Sequence, residues 1–124
     1  MKQDLIKIYG SLKRILKKFE NPLISKSDLE SKYDLWSIKN IELEGRKKKG
    51  VFFAGLIIQS SYVGFYFMPV YTDENLKSVF HPDLLKLLKG KSCFHIKKLE
   101  SDLENHIEDA LQRGYELYKR RGWI

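Results

Sequence analysis

The centre of the chain reads VFFAGLIIQSSYVGFYFM over residues 51–68. Residues 51–59 are apolar at both odd and even positions, a pattern typical of a central strand with both faces buried. Residues 62–68 form a second run rich in aromatic side chains, and Ser60-Ser61 leaves space only for a tight connection. The segment therefore predicts a β-hairpin in the middle of a sheet.

Two further strands are predicted, one on each side of this hairpin. Residues 33–43 have a strand-like pattern, and residues 44–50 follow as a basic loop bounded by glycines. Residues 91–98 predict the other strand. Residues 23–32 are polar and weakly patterned, and we expect a loop with a helical turn there.

Helical spacing marks both ends of the chain. Residues 3–19 place apolar side chains three and four positions apart, and Asn21-Pro22 ends this helix. The last helix is predicted over residues 101–121, where Ser101 and Glu104 have the spacing of a capping box.

The stretch between the hairpin and the strand at 91–98 predicts two short helices. Thr72 is a suitable N-cap for the first, which ends at Val79. Pro82 suits the first position of the second, and Gly90 ends it. Strands grouped between terminal helices favour an α+β two-layer sandwich with an antiparallel sheet of about four to five strands.

Length and composition fit one domain that covers residues 1–124. A chain of 124 residues with 43% hydrophobic residues can bury a single core. No apolar run approaches the roughly 20 residues of a membrane-spanning helix, so we expect no membrane partner. The first residues lack the apolar segment of a signal peptide, and a single cysteine cannot form an internal disulfide. These features predict a cytoplasmic protein.

The predicted strand at 91–98 contains the only cysteine of the chain. Alternation along a strand would place Cys93, His95 and Lys97 on one face, with Phe94 and Ile96 on the other. We therefore predict a binding cleft for an anionic small molecule or an acidic partner protein, in which lysine supplies charge and tyrosine hydroxyls supply direction. Its predicted lining is Tyr66, Tyr71, Cys93, His95 and Lys97.

No catalytic motif supports an enzyme. Cys93 and His95 are two positions apart, roughly 7 Å between Cβ atoms on a strand, and no third group is evident to orient the imidazole. Gly90-Lys91-Ser92 matches the last three residues of the phosphate-binding loop motif. The upstream glycine of that motif is missing, however, and a strand rather than a helix is predicted to follow. We therefore favour a binding protein with no catalytic residue and no cofactor, and an enzyme built on Cys93 is the least favoured alternative.

Nucleic acid is an alternative partner, because 23 Lys and Arg residues against 16 Asp and Glu residues give a formal net charge of +7. The predicted basic loop holds Arg46, Lys47, Lys48 and Lys49. It adjoins a sheet rich in aromatic side chains, and a stacking platform with a basic rim binds single strands. The competing interpretations are a solvated lysine surface and an aromatic core, in which we expect Phe52, Phe65 and Phe67.

The chain resembles the YdhG-like family of small bacterial proteins of unassigned activity. The similarity rests on VFFAGLIIQSSYVGFYFMPVY, on Pro82 with the leucines at 84–88, on GKSCFHIKKL, and on the terminal YKRRGWI. The first helix and the strand at 33–39 fit the same layout, so nearly the whole chain is covered. The resemblance implies an α+β domain whose antiparallel sheet is flanked by helices.

The resemblance also implies an alternative function, because part of the family is linked to frataxin-like handling of iron. A frataxin-like site is an acidic ridge on the first helix, whereas here that helix is mainly basic. Iron would then bind on the last helix, where Glu104, Glu108 and Asp109 offer carboxylates. A solvated acidic helix face is the competing interpretation of these three residues.

Overall fold

A computed structural model describes residues 2–124 and contains four α-helices and five β-strands in that range. In chain order these are α1 (Lys2–Lys17), β1 (Lys32–Leu43), β2 (Arg46–Ile58), β3 (Val63–Phe67), α2 (Met68–Thr72), α3 (Pro82–Leu85), β4 (Leu88–Lys89), β5 (Cys93–Ile96) and α4 (Ser101–Arg120). A 3₁₀-helix, Glu74–Val79, joins α2 to α3. The two long helices come from the two ends of the chain, as their apolar spacing predicts.

All five strands belong to one antiparallel sheet in the spatial order β1-β2-β3-β5-β4. The chain between β3 and β5 forms the short helices and then returns, so that β5 pairs with β3 and β4 lies at the edge. The predicted α+β class and the predicted size of the sheet are confirmed.

Helices α1 and α4 cover one face of the sheet and enclose the core. The side chains directed to that face are fully buried, among them Leu35, Leu56, Phe65 and Phe94. The side chains of the opposite face are partly exposed. We call this surface the open face, and its members are Trp36, Phe52, Tyr66, Cys93 and His95.

A β-bulge in β2 decides which of two consecutive phenylalanines enters the core. The register shifts between the pairs Leu35↔Ala54 and Trp36↔Phe52, so Phe53 has no partner across the ladder. Phe53 and Ala54 are both fully buried, whereas Phe52 is partly exposed beside Trp36, with ring centroids 5.2 Å apart. The expectation that Phe52 lies in the core is therefore wrong, because the extra residue reverses the alternation.

The β1–β2 hairpin closes at Glu44-Gly45, so the predicted basic loop is mostly strand. Both turn residues have positive φ, 52° and 78°, and Leu43 pairs directly with Arg46. Two central residues with positive φ are typical of a two-residue type I′ turn, whose twist matches that of the flanking strands. Residues 46–49 consequently belong to β2.

Three predicted helix boundaries are also wrong. Thr72 ends α2, and it is Asp73 that caps the 3₁₀-helix by accepting a hydrogen bond from the Asn75 N–H. Helix α3 ends at Leu85, after which the chain forms the short edge strand β4. The capping box is absent because Ser101 already lies inside α4, whose N-cap Glu100 makes no side-chain cap bond.

The segment at 23–32 is extended and contains no helical turn. Ile24 forms a bridge with Trp36, and Asp28 forms one with Tyr33. Asp34, which is buried, holds this segment with its Oδ1, which accepts hydrogen bonds from the backbone N–H groups of Lys26 and Ser27 at 2.7 and 2.8 Å. Strand pairing and this carboxylate together satisfy the backbone groups that a helical turn would otherwise use.

Candidate functional site

The open face brings together three of the five side chains predicted to line a cleft. Tyr66 of β3 pairs with Cys93 of β5, and His95 lies opposite Gly64 on the same pair of strands. Phe94 and Ile96, which alternate with them, are fully buried. The predicted alternation is confirmed for residues 93–96, but the predicted strand at 91–98 is too long, and Lys97 lies beyond the end of β5.

Cys93 has the environment of a protonated thiol. Burial raises the pKa of the thiol, against a smaller opposing effect of the neighbouring Tyr66 hydroxyl, and burial also raises the pKa of that hydroxyl. The imidazole of His95 does not orient the thiol but stacks on Tyr62, with ring centroids 3.8 Å apart and planes 10° apart. A nucleophilic cysteine needs a lowered pKa and an adjacent base, so this arrangement does not suit a Cys–His pair.

A groove of about 620 Å³ lies where the β4–β5 edge of the sheet meets the start of α4. We call it the edge groove. It is lined by Asp83, Lys86, Leu87, Lys89, His95, Lys97, Lys98, Glu100, Asp102, Leu103 and His106. His95 and Lys97, two of the predicted site residues, therefore lie in one concave surface of a size that holds small ligands.

Positive charge in the edge groove is only partly neutralised by the protein itself. Lys86 forms an ion pair with Asp83, with 3.5 Å between Nζ and Oδ1. Within residues 2–124, Lys89, Lys97 and Lys98 form no ion pair. Three exposed ammonium groups thus surround a groove in which His95 is held in place by its stack on Tyr62.

The start of α4 adds to the positive potential of the groove. The first N–H groups of a helix have no partner inside the helix, and no side chain caps them at Glu100. The helix dipole places partial positive charge at this end. Glu100 and Asp102 oppose this potential in part, and they offer acceptors on the same wall.

Tyr71 does not join the other predicted site residues. It is exposed, and it lines a different groove of about 870 Å³ between the β1–β2 hairpin, α2 and the end of the chain. Lys91 lies over its ring, with Nζ 5.7 Å from the ring centroid. Tyr71 therefore lies apart from the edge groove, in a groove that borders the open face at Trp36 and Phe52.

The four basic residues of β2 are all exposed, and alternate side chains along a strand point to opposite faces. Lys47, Lys48 and Lys49 nevertheless line one shallow groove, together with Glu42. Lys47 is also paired across the ladder with Glu42. Sequence reasoning missed Lys89 as the better placed cation, because a strand of two residues has too short a pattern to recognise.

The carboxylates predicted for iron have other partners. Glu108 forms an ion pair with Lys18 of α1 at 3.2 Å, and Asp109 forms one with Arg113 at 2.8 Å. Glu104 lies in the first turn of α4, where a carboxylate interacts favourably with the helix dipole. Within residues 2–124 these three side chains do not bring ligand atoms together around one point.

Comparisons of the chain with family models, with curated proteins and with solved structures give no match. The YdhG-like resemblance therefore stays a prediction. In the part of the chain that the structure describes, no helix is both long and apolar enough to cross a lipid bilayer.

Proposed function

We propose that this protein is a binding module whose edge groove holds a small anionic ligand bearing a carboxylate or phosphate. The observation that carries the proposal is the set of lysines without a carboxylate partner, Lys89, Lys97 and Lys98, around one groove. Ammonium groups beside an uncapped helix start attract an anion by charge and by free N–H groups together. An acidic segment of a partner protein is the macromolecular version of the same ligand.

The other side chains of the groove define the ligand further. Leu87 and Leu103 offer apolar contact, while Glu100 and Asp102 accept hydrogen bonds. A ligand that has hydroxyl or amino groups as well as its anionic group can bind the lysines and also donate hydrogen bonds to Glu100 and Asp102. A simple polyanion satisfies the lysines alone, and it meets repulsion from the two carboxylates.

Burial raises the pKa of the Cys93 thiol, which argues against a thiolate nucleophile at this position. We also propose a cytoplasmic location and membership of the YdhG-like family, on the single cysteine and on the sequence resemblance.

The test is a thermal-shift screen of carboxylates and phosphates at constant ionic strength, followed by calorimetry of the best compound. A ligand at 100 times its Kd stabilises the folded chain by about 2.7 kcal/mol. We expect this shift to fall in Lys97→Gln and Lys98→Gln, and to be unchanged in Lys47→Gln, which removes a lysine on the distant β2. Equal loss in all three variants would show a general charge effect and would contradict the proposal.

A second candidate function is single-stranded nucleic-acid binding on the open face. The ring of Phe52 comes within 3.0 Å of the point where a Cβ on Gly55 would lie, and the ring of Tyr66 comes within 2.8 Å of that point on Gly64. The two rings thus lie across glycines of the sheet, and a partly exposed ring in this position offers a surface for base stacking.

Fluorescence anisotropy of a short labelled oligonucleotide tests this second function. Binding should weaken steeply with salt and should be lost in Tyr66→Leu, whereas Tyr115→Leu, on α4 at the other face of the sheet, serves as the control. Binding that ignores Tyr66→Leu would place the nucleic acid elsewhere.

A further inference from the structure

We propose that His81, Asp83 and His106 form a binding site for one divalent transition-metal ion. One candidate ligand atom of each residue lies within 4.8 Å of the others. Among residues 2–124, this is the one place where three His, Cys, Asp or Glu side chains meet in this way. The site is distinct from the carboxylates of α4 predicted to bind iron, Glu104, Glu108 and Asp109.

The three side chains come from two helices that pack together. His81 is the N-cap of α3 and Asp83 lies in its first turn, while His106 belongs to α4. The two imidazole rings are parallel, with centroids 3.8 Å apart and planes 10° apart, and His81 Nδ1 lies 3.8 Å from Asp83 Oδ2. The two imidazoles thus lie side by side next to one carboxylate, and because the lone pairs of parallel rings do not converge, the rings must tilt apart to bind one ion.

The spacing is close to that of a coordinated ion. In a tetrahedral site with ligand atoms about 2.0–2.1 Å from the metal, two ligand atoms are about 3.3 Å apart. The ligand atoms must therefore come closer by up to about 1.5 Å. His81 and Asp83 are exposed and His106 is partly exposed, so their side chains have space to rotate.

Two contacts of the site compete with a metal ion, the hydrogen bond on His81 Nδ1 and the ion pair between Asp83 Oδ1 and Lys86 Nζ at 3.5 Å. His81 Nδ1 accepts a hydrogen bond from the Asp83 N–H at 3.0 Å, so this nitrogen is unprotonated in the neutral ring. A metal ion takes the place of that donor, and water then satisfies the Asp83 N–H because the residue is exposed. Within residues 2–124, no hydrogen bond engages the ring of His106.

Two imidazole nitrogens and one carboxylate oxygen select zinc, cobalt or nickel over magnesium and calcium, which prefer oxygen ligands. Three protein ligands leave at least one coordination position open. Asp83 and His106 also line the edge groove, so the open position adjoins it. The metal site does not depend on an anion in that groove, and the two proposals can fail separately.

Titration of the tag-free full-length chain with cobalt and zinc, followed by visible absorption and calorimetry, tests the site. We expect one ion per chain, and at least about tenfold weaker binding in His81→Asn and His106→Gln. Asparagine at position 81 keeps an N-cap acceptor and removes only the imidazole. His95→Gln and Cys93→Ser, which remove the other strong ligands near the groove, should bind the ion as the unaltered chain does.

A second measurement avoids any effect of the substitutions on folding. In nitrogen-15 spectra of the unaltered chain, zinc should shift the imidazole resonances of His81 and His106 and leave those of His95 in place. Absence of binding at millimolar metal would overturn the proposal. Binding that is lost in His95→Gln or Cys93→Ser, and kept in the cluster variants, would overturn it equally.

Discussion

Replacing Gly114 with alanine should destabilise the protein, although alanine is the better helix former. Gly114 lies in α4 where the helix crosses the sheet, and an added Cβ would lie 2.4 Å from Phe67 Cζ and 2.8 Å from Pro69 Cγ. An ordinary van der Waals contact begins at 3.4 Å, so the shortfall against Phe67 is about 1.0 Å. The ring cannot retreat, because Phe67 is fully buried and packs on Phe53 and Phe65 at 5.7 and 5.4 Å between centroids.

The size of the effect follows from two opposing contributions. Overpacking of a core costs about 1–3 kcal/mol, and two contacts this short against fixed rings place the cost near 3 kcal/mol. Alanine regains about 1 kcal/mol of helix propensity. The expected net loss is therefore about 2 kcal/mol, which for a chain of this length lowers Tm by about 8 °C.

Gly10→Ala is the matched control, because Gly10 lies inside α1 and an added Cβ would meet only the Arg14 guanidinium, at 3.9 Å. Here only the propensity changes, so the free energy of unfolding should rise by about 1 kcal/mol. Urea unfolding followed by circular dichroism measures both variants. If Gly114→Ala were as stable as the unaltered chain, the close approach of α4 to Phe67 would be refuted.

Three further results are expected. Asp34→Ala leaves two backbone N–H groups without their acceptor, so it should lower the free energy of unfolding in urea by about 3 kcal/mol. Asp34→Asn keeps the accepting oxygen and should lower it by less than about 1 kcal/mol, and equal losses in the two variants would argue against the hydrogen bonds. Iodoacetamide should alkylate Cys93 more slowly in the folded chain than in the unfolded chain, because burial raises the pKa of the thiol. The alkylation rate should still rise with pH above 9.0, the ordinary pKa of the thiol, and a plateau below that pH would contradict the raised pKa. Hydrogen bonds and charge from Lys13 and Lys17 lower the pKa of Asp28. Asp28→Asn should therefore reduce the free energy of unfolding at neutral pH but not at a pH below the pKa of Asp28 in the folded chain, where protonation removes the same interaction. A loss of stability that persists in acid would disprove this origin.

The elements with a long pattern could be predicted from the sequence. The apolar spacing of residues 3–19 and 101–121 predicts α1 and α4, and the hairpin at 51–68 predicts β2 and β3, because periodic burial of one face needs only local information. The alternation of Cys93 and His95 against Phe94 and Ile96 follows from the same rule.

The errors in prediction occur where one residue or one turn decides the structure. The positive φ of Glu44 and Gly45 brings residues 46–49 into β2, and the bulge at Phe53 turns Phe52 outward. Neither the turn nor the bulge is marked by a distinctive local composition. Both depend on which strand lies alongside, which a single segment does not reveal.

The candidate sites depend on contacts between distant parts of the chain. Sequence by itself determined the fold class, the two long helices, the central hairpin and the presence of Cys93 and His95 on one face of a strand. Only the tertiary structure placed Lys89 and the start of α4 around His95 and Lys97, moved Tyr71 to another groove, and stacked His81 on His106. The physical reason is that periodicity specifies which face of an element is buried, whereas packing of the helices on the sheet specifies which exposed side chains become neighbours.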